Sequence, residues 1–265
     1  MIRISLILGL LSAMPAYASD NVLHDSDRDT SLVESGTLNW SGLRLGIFGG
    51  ISSSTGEATL GAFEGVLLPL DVTNGLFPEI ISERDTELSG GVSVGYDLQR
   101  GNFLAGVEAD FTFQDLRLSH KYSRVDPNPN PPFTGIDTNT TYQTNFGNIA
   151  TLRARAGITH GDFLFYGTAG FAAGHVENRF KLDLPDLAYS SPDWSKSGIE
   201  YGFAAGAGIE YNINSNISMK LEGMLVDLSD TTIQAVDPVS FPGETISYHF
   251  ENDVFIGKIG LNFRF

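Results

Sequence analysis

Residues 254–265 read VFIGKIGLNFRF. Phe255, Ile259, Leu261, Phe263 and Phe265 fall on one side of a two-residue repeat, and Lys258, Gly260, Asn262 and Arg264 on the other. Period two marks a β-strand with two unlike faces. The stretch closes on an aromatic, Phe265, where a strand end in water is ordinarily polar. An outward aromatic is useful where the outer face of the strand meets hydrocarbon.

Working back along the chain, the same alternation recurs. Eight stretches carry it, at 38–52, 86–98, 103–118, 143–159, 163–176, 197–211, 217–228 and 248–265. Most reach the roughly 9–11 residues that a tilted strand needs to cross a bilayer. The connections 99–102 (QRGN), 160–162 (HGD) and 212–216 (NINSN) are short and turn-like, whereas 53–85, 119–142, 177–196 and 229–247 are long and read as loops. The second long connection holds DPNPNPP (126–132), which a central strand does not tolerate. Short turns at one end and long loops at the other predict an all-β, eight-stranded antiparallel transmembrane β-barrel of up-and-down topology.

A soluble barrel with an apolar interior alternates too, so the composition of each face decides. In 103–114, Phe103, Ala105, Val107, Ala109, Phe111 and Phe113 oppose Leu104, Gly106, Glu108, Asp110, Thr112 and Gln114. In 198–211, Ile199, Tyr201, Phe203, Ile209 and Tyr211 oppose Gly198, Glu200, Gly202, Gly206, Gly208 and Glu210. The polar faces are rich in glycine, which weakens a water-facing strand but makes room inside a narrow barrel. In 163–171, Phe163, Phe165 and Phe171 are expected to face lipid and Tyr166 to face inward. Across all strands the polar faces carry Arg44, Arg153, Arg155, Lys220, Lys258 and Arg264 against Glu87, Asp97, Glu108, Asp110, Glu200, Glu210 and Glu222. Charges buried in a lumen persist only when paired, and this near balance fits an internal network.

The chain has 265 residues, enough for one large all-β domain, and a formal net charge of −16, which argues against a nucleic-acid partner. It contains no cysteine, so disulfides, thiol nucleophiles and cysteine metal sites are excluded. Residues 1–18 (MIRISLILGLLSAMPAYA) combine Arg3, a short apolar run and Ala16-Tyr17-Ala18, the pattern of a secretory signal cleaved before Ser19. The acidic stretch 19–37 is expected to be a periplasmic N-terminal segment, and 38–265 the barrel domain in a Gram-negative outer membrane.

The stretches NWSGLRLGIFGG (39–50), GNFLAGVEADF (101–111), TLRARAGITHGDFLFYGTAGFAAG (151–174), GAGIEYNINSNISMKLEGMLVDL (206–228) and the ending KIGLNFRF (258–265) resemble an alphaproteobacterial outer-membrane family. That family includes the Brucella 25 and 31 kDa outer-membrane proteins and the Bartonella hemin-binding proteins. The resemblance implies an eight-stranded porin-like barrel with a signal peptide. It also implies that the C-terminal residues Phe263 and Phe265 are read by the barrel-assembly machinery. It names no single reaction, since members are surface antigens, small porin-like proteins or hemin binders.

The candidate site is therefore a lumen charge network of Arg44, Glu108, Asp110, Arg153, Arg155, Glu210, Lys220, Glu222, Lys258 and Arg264. Eight strands leave a bore about wide enough for side chains alone, so the network is expected to fill the lumen rather than line a channel. His120, His175 and His249 fall near the long-loop end and are weak heme candidates; no metal-ligand spacing joins them, and no cofactor is expected. The expected role is structural and surface-interacting, without catalysis. A small channel or a hemin receptor is the alternative, and a barrel-borne lipid hydrolase the third. Outer-membrane lipid and lipopolysaccharide, the assembly machinery, and a host surface or hemin are the expected partners.

Overall fold

In the computed structural model, residues 39–127 and 135–265 are described. The expected signal peptide and the whole of the N-terminal segment 19–37 lie outside them. The chain forms strands β1 (Gly42–Glu64), β2 (Ile80–Arg100), β3 (Phe103–Phe113), β4 (Leu116–Val125), β5 (Asp137–His160), β6 (Phe163–Leu184), β7 (Tyr189–Ser190), β8 (Trp194–Asn214), β9 (Ile217–Val236) and β10 (Thr245–Arg264), with one short helix, α1 (Leu68–Thr73). Eight of them close a ring, β1–β2–β3–β5–β6–β8–β9–β10, in which every neighbour is antiparallel and β10 returns to β1. β4 pairs only with β5, and β7 only with β6. Within the belt, closure leaves the ring without a free edge, as a bilayer requires.

The faces follow the period-two reading. Phe111, Phe203 and Leu261 lie on the outer wall at 38%, 66% and 38% exposure, while Arg153 and Glu210 are buried at 1% and 0%. Phe163, Phe165 and Phe171 point outward and Tyr166 inward. The outer apolar belt on β10 runs from Phe265 up to Phe255 and stops at Asp253, which lies directly across from Asp227 of β9. Two exposed like charges side by side belong in water, so they mark the upper limit of the hydrocarbon contact.

Above that line the structure corrects the sequence reading. The four long connections are largely strand. β5 alone has 24 residues, and the outer halves of β1, β2, β5, β6, β8, β9 and β10 continue the wall past the belt. There the polarity of the wall inverts. Its outside becomes polar, and its inside holds an apolar cluster of Tyr142, Phe180, Ile233, Ile246, Tyr248 and Phe250 under α1. Two β-bulges carry the strands across the change. One extra residue in β5 between Phe146 and Ile149, and one in β9 between Leu228 and Thr231, shift the inward set from even to odd positions or back. The wall also opens on one side. β2 loses its β3 partner beyond Gly90–Phe113, and Gln114–Asp115 separate β3 from β4, so Ile80–Ser89 pairs with β1 alone.

Candidate functional site

The register of the ring places opposite charges opposite one another. Glu108 of β3 faces Arg153 of β5, Glu210 of β8 faces Lys220 of β9, and Glu222 of β9 faces Lys258 of β10. Because every one of these residues shares the inward phase of its strand, the side chains meet in the bore. Glycines on the same face leave the space. A Cβ added at Gly95 would lie 2.6 Å from Arg44 Nη2, and one at Gly208 would lie 2.5 Å from Tyr166 Oη.

Within the belt the bore is filled by five cations and five carboxylates. Arg44 reaches Asp97 at 2.7 Å and Glu108 at 2.5 Å. Arg153 is held by Glu108 at 3.0 Å, Asp110 at 2.6 Å and Glu222 at 2.9 Å. Arg155 reaches Glu210 at 2.5 Å and Asp97 at 3.5 Å. The two lysines cross the lumen, Lys220 to Glu108 at 3.1 Å and Lys258 to Asp110 at 2.9 Å. All ten side chains are at most 3% exposed. Guanidinium groups suit such a site because one planar fork serves several carboxylates at once.

Neutral groups add to the bonding, although Arg44 Nε, Arg155 Nε and Asp97 Oδ1 stay without a partner among the described residues. Tyr166 donates to Glu222 at 2.7 Å, Asn262 and Ser218 donate to Glu210, and Thr151 donates to Asp110 at 2.7 Å. Arg155 stacks on the Tyr166 ring at 3.9 Å, and Lys258 lies over Phe48 at 4.5 Å. Below the charges sit Trp40, Leu104 and Leu164; above them sits an apolar layer that includes Leu116, Phe146, Met224, Val226, Val254 and Ile256. The charges are thus capped at both ends by packed side chains. The charged side chains of this layer are paired with one another and shielded from solvent.

The structure brings nine of the ten residues of the expected network into one paired layer, all but Arg264, together with Asp97 on the same face. Three assignments need correction. Arg264 is buried but lies apart from the carboxylates, its guanidinium 4.5 Å over the Trp40 ring and donating to the Asn39 carbonyl. Glu87 sits opposite Ser52 in the inward phase, yet it is exposed because the wall between β2 and β4 is open at that height. Glu200, opposite Gly174, is half-buried and does not join the paired layer. Tyr166, Thr151, Ser218 and Asn262 had no sequence signal beyond their inward phase.

The three histidines are not brought together. His120, on β4, meets Glu83 of β2 at 2.9 Å across the open seam. His175, on β6, meets Ser197 of β8 at 3.2 Å. His249, on β10, lies between Thr232 at 3.1 Å and Asp230 at 3.2 Å on the exposed outer wall of β9 and β10. That hydroxyl–imidazole–carboxylate series is about half exposed on the outer wall. Among the described residues, no group of three or more His, Asp or Glu could hold a metal ion.

A family model described as an outer membrane protein beta-barrel domain matches residues 4–263. The 31 kDa outer-membrane immunogenic protein of Brucella melitensis is 30% identical over 98% of this chain and 99% of its own length. The 22 kDa outer membrane protein of Rhizobium leguminosarum bv. viciae is 28% identical over 69% of this chain and 70% of its own length. Among solved structures, the outer membrane protein OprG from Pseudomonas aeruginosa aligns with 85% of this chain and 97% of its own at a TM-score of 0.45 and 15% identity. With its closed ring, its outward apolar belt and its match along nearly the whole sequence, this chain belongs to the outer membrane protein beta-barrel domain family and resides in the Gram-negative outer membrane.

Proposed function

We propose that this protein is a sealed, non-catalytic barrel that contributes to envelope integrity and presents its outer half at the cell surface. The observation that carries the reading is the filled bore. Arg153, Arg155, Glu108, Asp110, Glu210 and Glu222 are each fully buried and bonded within the membrane belt. A water-filled channel needs solvated charges along its wall, and an eight-stranded ring is wide enough for side chains only. A hemin receptor built on His120, His175 and His249 gains no support from their separation, and a hydrolase gains none from a relay exposed on the outer wall.

Lipid and lipopolysaccharide would contact the belt. Phe263 and Phe265, outward on the strand that closes the ring, would be the residues read by the assembly machinery, and the outer half would meet any host surface. Purified protein in planar bilayers is expected to give no steady conductance. Reproducible ion steps of a single amplitude from unmutated protein would sink the sealed-barrel reading in favour of a small porin.

A further inference from the structure

Above the membrane belt, beneath α1, the outer mouth of the barrel forms a half-open cavity of about 110 Å³. It is separate from the charge layer, and its walls are apolar: Leu68, Leu76, Phe77, Phe180, Trp194 and Ile246 among them. Trp194 stacks on Phe180 with ring centres 5.6 Å apart and planes 16° from parallel, so one wall is a continuous aromatic surface. All the ionisable groups lining it are acids apart from Tyr189: Asp71 on α1, Asp126 after β4, Asp237 after β9 and Glu244 before β10.

Two of these acids are already used by the fold. Glu244 accepts from the backbone N–H groups of Val66, Leu67 and Leu68 at 2.8–3.0 Å and so ties the start of α1 to β10. Asp237 accepts from the Tyr189 hydroxyl at 2.7 Å and from the backbone N–H groups of Val239 and Ser240. Asp71 has a different situation. Burial, together with the negative charges of Asp126 and Glu244, pushes its carboxyl up to about 6. A positive charge placed beside it would relieve both effects.

We propose that this cavity binds a small cationic amphiphile: a primary alkylamine whose short chain occupies the apolar pocket against Phe180 and Trp194 while its ammonium lies at Asp71. The volume sets the size. An apolar cavity of roughly 150 Å³ accepts a benzene ring, so this one takes a chain of about four to six carbons. The charge sets the class. The acidic lining opposes carboxylates and phosphates, and the aromatic wall favours a cation as well as a chain. The site stands apart from the sealed bore, so its failure would leave the sealed-barrel reading intact.

The test uses the full chain refolded in nanodiscs, with empty nanodiscs as the blank for partitioning. Pentylamine, pentanol and pentanoate are titrated in turn, followed by Trp194 fluorescence in a Trp40→Phe background and by calorimetry. Saturable binding of pentylamine is expected, about tenfold or more tighter than pentanol, with pentanoate weaker still. Asp71→Asn, a change on a partly exposed helix, should erase the preference of amine over alcohol. Ala235→Phe, which fills the cavity from β9, should abolish binding of both. Equal affinity for the three compounds, tighter binding of pentanoate, no saturable binding, or an amine preference that survives Asp71→Asn would each overturn the proposal.

Discussion

Replacing Arg153 by methionine is expected to cost about 3–5 kcal/mol of unfolding free energy in lipid, the largest loss for any single polar change in the barrel. The reason is the asymmetry of buried pairs. Methionine fills a similar volume, but it leaves Glu108, Asp110 and Glu222 with a charge removed from among them at 3.0, 2.6 and 2.9 Å. It also strands Thr168, which accepts from Nη1 at 2.6 Å. None of these groups can reach water, so the cost of desolvating them is no longer offset. Arg153→Lys should lose less, because the charge stays while the fork that serves three carboxylates is lost. Denaturant unfolding of the refolded barrel measures both. A methionine variant within about 0.5 kcal/mol of the parent, the level of an exposed ion pair, would mean that the bore is wet.

The second large effect concerns the outer face of the wall, on β9. Leu221 stands between Lys220 and Glu222 in sequence, points outward at 61% exposure, and lies between Ile209 and Ile259 on the neighbouring strands at mid-belt. Leu221→Arg is expected to destabilise the barrel by about 2–4 kcal/mol, the cost of an arginine at the bilayer midplane. Gln234→Arg, on the outer wall of β9 above the belt, should change stability by less than about 0.5 kcal/mol. The contrast matters more than either value. Equal, small effects at the two positions would place Leu221 in water and remove the membrane belt from this strand.

Much of this was legible before any coordinates. Inside the belt the two solvents of a strand differ completely, lipid on one side and a crowded polar bore on the other. Phe111 against Asp110, or Phe203 against Gly202, could therefore be assigned by period alone, whereas the run of aromatics from Phe163 to Tyr166 blurred the phase of β6. Outside the belt the contrast weakens. In SSSTGEATLG (52–61) and DTNTTYQTN (137–145) small and polar residues stand on both faces, so strands that continue there resemble loops. The bulges in β5 and β9 then break the phase near the height where the outer wall changes from apolar to polar.

The misplaced charges have equally local causes. Glu87 keeps the inward phase, but its exposure depends on β3 stopping at Phe113, which only the pairing of β4 with β5 reveals. Arg264 has the right phase too, one layer too low, where the partner is the Trp40 ring rather than a carboxylate. The cavity under α1 was out of reach for a different reason. Its walls come from segments as distant as Leu68, Phe180 and Ile246, and each was read as part of a long loop.

Because the chain contains no cysteine, one introduced thiol reports on one position. Ser93 lies in the bore opposite Asp110 and its hydroxyl has no bonding partner among the described residues, so Ser93→Cys is a mild change. Val92 and Val94 flank it on the lipid face at 50% and 44% exposure, and Ser215 marks an exposed turn. In protein reconstituted in bilayers, a charged water-soluble thiol reagent should label a cysteine at 215 rapidly and leave one at 93 unlabelled. A lipid-soluble maleimide should label cysteines at 92 and 94. Rapid labelling at 93 by the charged reagent, at a rate near that of 215, would show water standing at the level of the buried charges and would contradict the sealed barrel.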